Sequence, residues 1–305
     1  MLKKGMYIRH PKTDIHENDL GVGLVVEDEV ENIAKVFFEK KLKTVPVRTD
    51  YIAYQILPDA GDAKLFLDNA LIIPGADRQP FPAVLEEFLQ RFKGGLKGEV
   101  YIKGERNYKV ASSDIAREYF SKDSFAQKIK DKEWSLLAEQ IKKAFTVNLL
   151  SKFELIKLVD ALKLEQNQIV ISNCLYDLLH GDSSLPSRID KAAFKLKEYE
   201  LDKWPVITYP LFAVFPEKYM FVKPTLTQAA AENRGFDIQY KSQVNGDTYQ
   251  RVLFFSQDLQ QRLLNDSRDE LHPRDMIDVQ GFMWCTFANG WTDEEIQMFE
   301  NKLVD

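Results

Sequence analysis

The chain has 305 residues, 45% hydrophobic and 29% charged, the balance of a folded globular protein, which excludes general disorder. Two cysteines exclude a disulfide scaffold, and no apolar run approaches the roughly 18 residues that a membrane span needs. A formal net charge of −6 excludes a surface coated in basic residues but leaves room for a local basic groove, because phosphate responds to the distribution of charge rather than its sum.

The opening MLKKGMYIRHPK has basic residues with no apolar stretch behind them, so no secretory leader is expected and the cytoplasm is the expected compartment. The next segments, MYIRH, GVGLVVED, NIAKVFFE, LKTVPV and YIAYQIL, alternate or cluster β-branched and aromatic residues between charged or Gly-containing turns. Five short strands with no helical pattern predict a small closed barrel over residues 1–58, since an open sheet would expose its edges. Its core is expected to include Ile8, Val25, Val36 and Phe38. Pro58-Asp59-Ala60-Gly61 then punctuates the chain.

Residues 62–305 read as a larger, mainly α-helical domain, giving an α+β fold class. Helices are predicted at 81–93, 112–120, 124–148, 151–163, 166–180, 187–199, 225–234, 248–264, 275–285 and 292–303. Pro82 suits a first helical turn, Gly94-Gly95 stops that helix, and GEVYIKGERNYKVA reads as a hairpin turning near Gly104. Ser151 with Glu154, Thr225 with Gln228 and Thr292 with Glu295 form capping-box patterns, and Gly235 closes the helix begun at Thr225. The stretch from Lys203 to Glu232 is apolar but carries Pro205, Pro210, Pro216 and Pro224, so short pieces and turns are expected there instead of one helix.

Three groups of N-terminal residues carry a resemblance: Gly5-Met6-Tyr7-Ile8-Arg9-His10-Pro11, Gly21-Val22-Gly23-Leu24-Val25-Val26, and Ala34-Lys35-Val36-Phe37-Phe38-Glu39. A glycine before a strand, a His-Pro step, a Gly-x-Gly turn and a third strand ending in aromatics resemble the Tudor-like barrel of CarD-type transcription factors. The same pattern resembles the small C-terminal module of UvrD-like helicases. The resemblance covers about the first sixth of the chain and departs from the pattern at Lys12 to Leu20, a longer polar stretch. It implies docking onto RNA polymerase or a nucleic-acid machine. Read without it, a glycine at 21 or 23 permits the positive φ of a tight turn.

Candidate chemistry is sparse. His10, His16, His180, His272, Cys174 and Cys285 show no metal-ligand spacing, so no metal is expected, and no Walker-type loop, nucleophile elbow or other cofactor signature appears. Asp275 and Asp278 lie three apart behind Pro273, followed by Phe282 and Trp284. They are candidate catalytic carboxylates facing an aromatic pocket, or else a helix cap and a first-turn acid. Lys103, Arg106, Tyr108 and Lys109 gather basic residues and an aromatic near Gly104, a composition suited to phosphate contact and base stacking or to a solvated hairpin. Lys223, just before a helix start, is a candidate for phosphate or a surface lysine.

These readings predict a DNA-associated protein of genome maintenance or defence against foreign DNA such as phage, the barrel being an accessory module. Two alternatives stand beside it. One is a DNA glycosylase-type enzyme using a pocket aspartate on an extruded base. The other is a non-enzymatic adaptor to RNA polymerase or a helicase. DNA is the expected partner and no membrane is expected.

Overall fold

A computed structural model describes residues 1–10, 20–38, 43–51, 53–61, 81–146, 149–288 and 290–304. Pro11 of the His-Pro step, the polar stretch 12–19 with His16, Glu39 and the end of the helix expected at 124–148 lie outside the described residues. The chain divides into two compact units, Met1–Arg78 with Ala231–Ile238, and Gln79–Ala230 with Gln239–Asp305.

The first unit carries five antiparallel strands: β1 (Tyr7–Arg9), β2 (Val22–Val30), β3 (Ile33–Phe38), β4 (Lys43–Arg48) and β5 (Gln55–Leu57), in the order β4-β3-β2-β1-β5. Glu31 and Asn32 join β2 to β3 with φ of 50° and 62°, the double positive-φ loop whose twist matches a hairpin. Period-two alternation sends Ala34, Val36 and Phe38 of β3 to one face, where they join Ile8, Val25, Leu2 and Val47 in one apolar cluster. The four residues expected in this core are all fully buried. Gly21 has the positive φ of 69°, whereas Gly23 serves packing: a Cβ there would lie 2.5 Å from Val36 Cγ1. The expectation of a closed barrel is corrected. Among the described residues no ladder joins β4 to β5, so the sheet is open, with β4 and the three-residue β5 at its edges.

The second unit is helical. Its elements are α1 (Phe81–Arg91), α2 (Glu99–Tyr101), α3 (Asn107–Tyr119), α4 (Lys122–Lys130), α5 (Trp134–Phe145), α6 (Lys152–Ala161), α7 (Glu165–His180) and α8 (Leu185–Leu196). There follow α9 (Trp204–Val214), α10 (Pro224–Asn233), α11 (Gly246–Leu264), α12 (Met276–Phe287) and α13 (Asp293–Val304). The chain passes from α10 into the first unit at Ala231. Both bonds of the capping boxes form at Ser151–Glu154 and at Thr292–Glu295. Gly235, with φ of 67°, closes α10 as expected: its N–H bonds Glu232 O and that of Phe236 bonds Ala231 O, the paired bonds of a left-handed C-cap.

Four expectations need correction here. The hairpin at 98–111 is helical: α2 runs through a π-helical segment, Ile102–Arg106, into α3. Glu99–Lys103 and Glu105–Lys109 are i,i+4 pairs that support such a helix, and Gly104 serves close packing instead of a turn. The helix expected at 124–148 is two, broken where Lys132 takes φ of 59°. Thr225 is not a cap, because α10 starts one residue earlier with Pro224, and Gln228 donates to Pro224 O. Finally, Pro205 and Pro210 do not fragment their stretch: α9 is a single helix of 11 residues with Pro205 in its first turn and Pro210 inside. Nearly every side chain of α9 is buried, so apolar contact on all sides outweighs the hydrogen bond lost at Pro210.

Candidate functional site

The π-helical segment and the start of α3 form one wall of a cleft of about 340 Å³ within the helical unit. A π-turn re-aims the residues that follow it, and such turns recur at functional sites. Here Glu105, Tyr108 and Lys109 all reach the cleft. Facing them are Gln280 and Trp284 from α12, Lys223 at the start of α10, and Trp291 just before α13.

Lys109 and Glu105 form a buried ion pair, their side chains 1% and 3% exposed. The Lys109 ammonium also donates to Gln280 Oε1 and lies 5.5 Å from the centre of the Tyr108 ring. The second carboxylate oxygen of Glu105 accepts a 3.2 Å hydrogen bond from Trp291 Nε1. Both oxygens of Glu105 are thus occupied, as a buried carboxylate requires. Trp291 is held by further contacts: Arg91 donates to its carbonyl, Phe92 and Phe299 pack edge-on at 6.3 and 5.6 Å, and Gly104 allows the ring to close in. A Cβ at Gly104 would lie 2.7 Å from Trp291 Cη2.

Trp284 is clamped on its other side. A Cβ at Gly290 would sit 2.2 Å from Trp284 Cε2, so only glycine fits, and Lys223 Nζ stands 4.4 Å from the indole centre. Lys223 makes no ion pair among the described residues, leaving a half-buried ammonium on an aromatic face. Burial, and then the positive charge of Lys109, lowers its pKa below the ordinary lysine value, against the opposing pull of Glu105 and Glu154. Burial, and then the negative charge of Glu105, raises the pKa of Tyr108 far above the ordinary phenol value, so it stays a neutral hydroxyl.

Of the residues nominated from sequence, Tyr108, Lys109 and Lys223 therefore converge in one cleft. Lys103 does not: it is exposed and pairs with Glu99 along the helix. Arg106 points away into an ion-pair cluster with the two nominated aspartates. It holds Asp275 through two 2.7 Å hydrogen bonds and Asp278 at 2.8 Å. Burial alone would lower the pKa of Arg106, but the bonds and charges of the two aspartates outweigh it and raise that pKa. Asp275 also caps α12, accepting the Asp278 N–H at 3.1 Å. Asp278 is fully buried and additionally bonded by Arg274 Nε at 2.7 Å and the Tyr101 hydroxyl at 3.1 Å. Neither aspartate lines the cleft. In the geometry seen here both carboxylates tie α12 to the π segment.

Sequence reasoning did not nominate Glu105, Gln280, Trp291 or Gly290. Glu105 was legible as the i−4 partner of Lys109 once that segment is taken as helix, and Gly290-Trp291 directly precedes the capping box at Thr292. Gln280 carries no local signal, because its role arises from the packing of α12 against α3.

A second cleft of about 220 Å³, near Cys174, Arg188 and Lys195, has charged lining and no aromatic side chain. Among the described residues no three His, Cys, Asp or Glu side chains gather to hold a metal, and no helix is long and apolar enough to cross a membrane. Comparison of the chain with protein families, characterised proteins and solved structures finds no match.

Proposed function

We propose that this is a DNA-associated protein of genome maintenance or defence against foreign DNA, and that its helical unit takes one unstacked base into the cleft between Tyr108, Trp284 and Trp291. The observation that supports it is the gathering of three aromatic side chains and two lysines in one pocket of about 340 Å³. Aromatic faces stack on any base, and a cation at the rim meets the attached phosphate. An extruded base needs both, together with a floor of fixed polar groups. In this reading the open N-terminal sheet is a Tudor-like accessory module that docks the protein on a larger nucleic-acid machine.

Base excision is a second reading, favoured by the Glu105 carboxylate at the cleft wall. Departure of a base leaves positive charge on the sugar, and a carboxylate there stabilises it. In this reading Glu105 takes the role that sequence gave to Asp275 and Asp278. The experiment is a titration of the full chain with DNA containing one unpaired base, at low and moderate salt, followed by a search for abasic sites. Salt-dependent binding is expected, because phosphate contacts release counterions. Failure to bind single-stranded, duplex or bulged DNA at low salt would overturn the proposal. Binding without abasic sites on a broad panel of modified DNA would leave it standing and remove the excision reading.

A further inference from the structure

The two lysines that line the cleft stand in different states. Lys109 is buried and committed to the Glu105 carboxylate and to Gln280 Oε1. Lys223 is half-buried, and its Nζ makes no hydrogen bond or ion pair to a described residue, standing 4.4 Å from the centre of the Trp284 indole. Glu295 also lines the cleft, but its Oε2 accepts from the Thr292 N–H and hydroxyl, and it forms no ion pair with Lys223. Burial, and then the charge of Lys109, favours the neutral amine of Lys223, against the pull of Glu105, Glu154 and the Trp284 face toward the ammonium. A desolvated amine beside a second cation is the setting in which lysine attacks a carbonyl carbon. The carbonyl follows from the reading that the cleft takes DNA. A lysine that meets the phosphate of a nucleotide whose base fills the cleft lies beside its sugar too, because C1′ joins base to backbone. A nucleotide that has lost its base carries an aldehyde at that carbon in its ring-opened form.

We infer that Lys223 forms an imine with the C1′ aldehyde of an abasic site in DNA, an inference that rests on the DNA reading of the cleft. The lone pair of the neutral amine attacks C1′, and a C–N bond forms. The C–O bond of the former carbonyl then breaks, and its oxygen leaves as one water that carries off both amine protons. No oxidant or reductant takes part. Lys109 cannot fill this role, because Glu105 and Gln280 hold its ammonium.

The test uses the full chain and two otherwise identical duplexes, one with a single natural abasic site and one with a tetrahydrofuran analogue that has no aldehyde. Binding is measured to both, and sodium cyanoborohydride is added to reduce any imine to a stable secondary amine. A covalent complex is expected with the natural site alone, and mass spectrometry of the digested adduct is expected to place it on Lys223. Lys223→Arg keeps the charge but has no amine, so it is expected to bind the analogue and to lose the covalent complex. Binding to the analogue without a covalent complex on the natural site would overturn the inference while leaving DNA association intact. An adduct mapped to another lysine or to the Met1 amine would overturn it too, however Lys223→Arg behaves. Absence of binding to both duplexes at low salt would instead remove the DNA reading, and the inference with it.

Discussion

Asp278→Asn should destabilise the helical unit by about 3 kcal/mol, more than any other amide replacement in its cluster. The carboxylate is fully buried, and its Oδ2 accepts from the Arg274 backbone N–H at 2.9 Å and from Arg274 Nε at 2.7 Å. An asparagine can still present one oxygen to Tyr101, but its NH2 then confronts both Arg274 donors. Breaking a buried pair by removing one partner costs roughly 3–5 kcal/mol. The low end applies because Arg106 keeps its two bonds to Asp275, and the Arg274 side chain is 40% exposed and can recover water. Asp275→Asn should cost only about 1.5 kcal/mol: asparagine caps a helix as well as aspartate, and Arg106 keeps Asp278. The four tryptophans, Trp134, Trp204, Trp284 and Trp291, all lie in the helical unit, so indole fluorescence during urea unfolding reports that unit alone. If Asp278→Asn unfolds within about 0.5 kcal/mol of the wild type, the assigned ion-pair cluster is wrong. Lost activity in Asp278→Asn would therefore report unfolding before it reported chemistry.

Three further outcomes are expected. Phe38→Asp buries an unpaired charge in the sheet core and should cost at least ~3 kcal/mol; an unchanged thermal transition of the sheet unit would show that the register is misassigned. Gly290→Ala forces a methyl group into the Trp284 ring and should shift Trp284 fluorescence and weaken DNA binding, whereas unaltered emission and binding would place the ring elsewhere. His180 is held below the ordinary histidine value of 6.5, first by burial and then by Lys122 and Arg188, against its 2.7 Å bond to Phe120 O. The unfolded chain therefore binds its proton first, so the stabilisation is complete above that value and is lost as pH falls through 6.5 toward the lower folded value. His180→Gln should show a smaller fall in thermal stability across this window than the wild type; an equal or larger fall contradicts the assignment.

The pattern-bearing parts of the fold were legible. Strand alternation placed Ile8, Val25, Val36 and Phe38 in the core, and capping boxes located the starts of α6 and α13 within a residue. What failed was local chemistry overruled by tertiary packing. Gly104 reads as a turn residue but is kept small by Trp291, and Pro210 reads as a breaker but lies in a helix buried on every side. The open sheet was illegible because strand propensity does not say whether the first and last strands meet. At the site, Tyr108, Lys109 and Lys223 were found from composition. Lys103 was nominated by the same rule and lies outside the cleft, since four residues along a helix cannot all face one way. Asp275 and Asp278 stood out for their spacing, and that spacing made one a cap and the other a buried counter-ion.

The central claim, that the cleft and not the basic segment as a whole holds nucleic acid, is tested by comparing Lys223→Met with Lys103→Met. Methionine keeps the apolar stem over Trp284 and removes only the charge. DNA binding by each variant, followed across salt concentrations, should show Lys223→Met weakened with a salt dependence reduced by about one phosphate contact, and Lys103→Met indistinguishable from the wild type. Equal losses in the two variants, or a loss confined to Lys103→Met, would contradict the account.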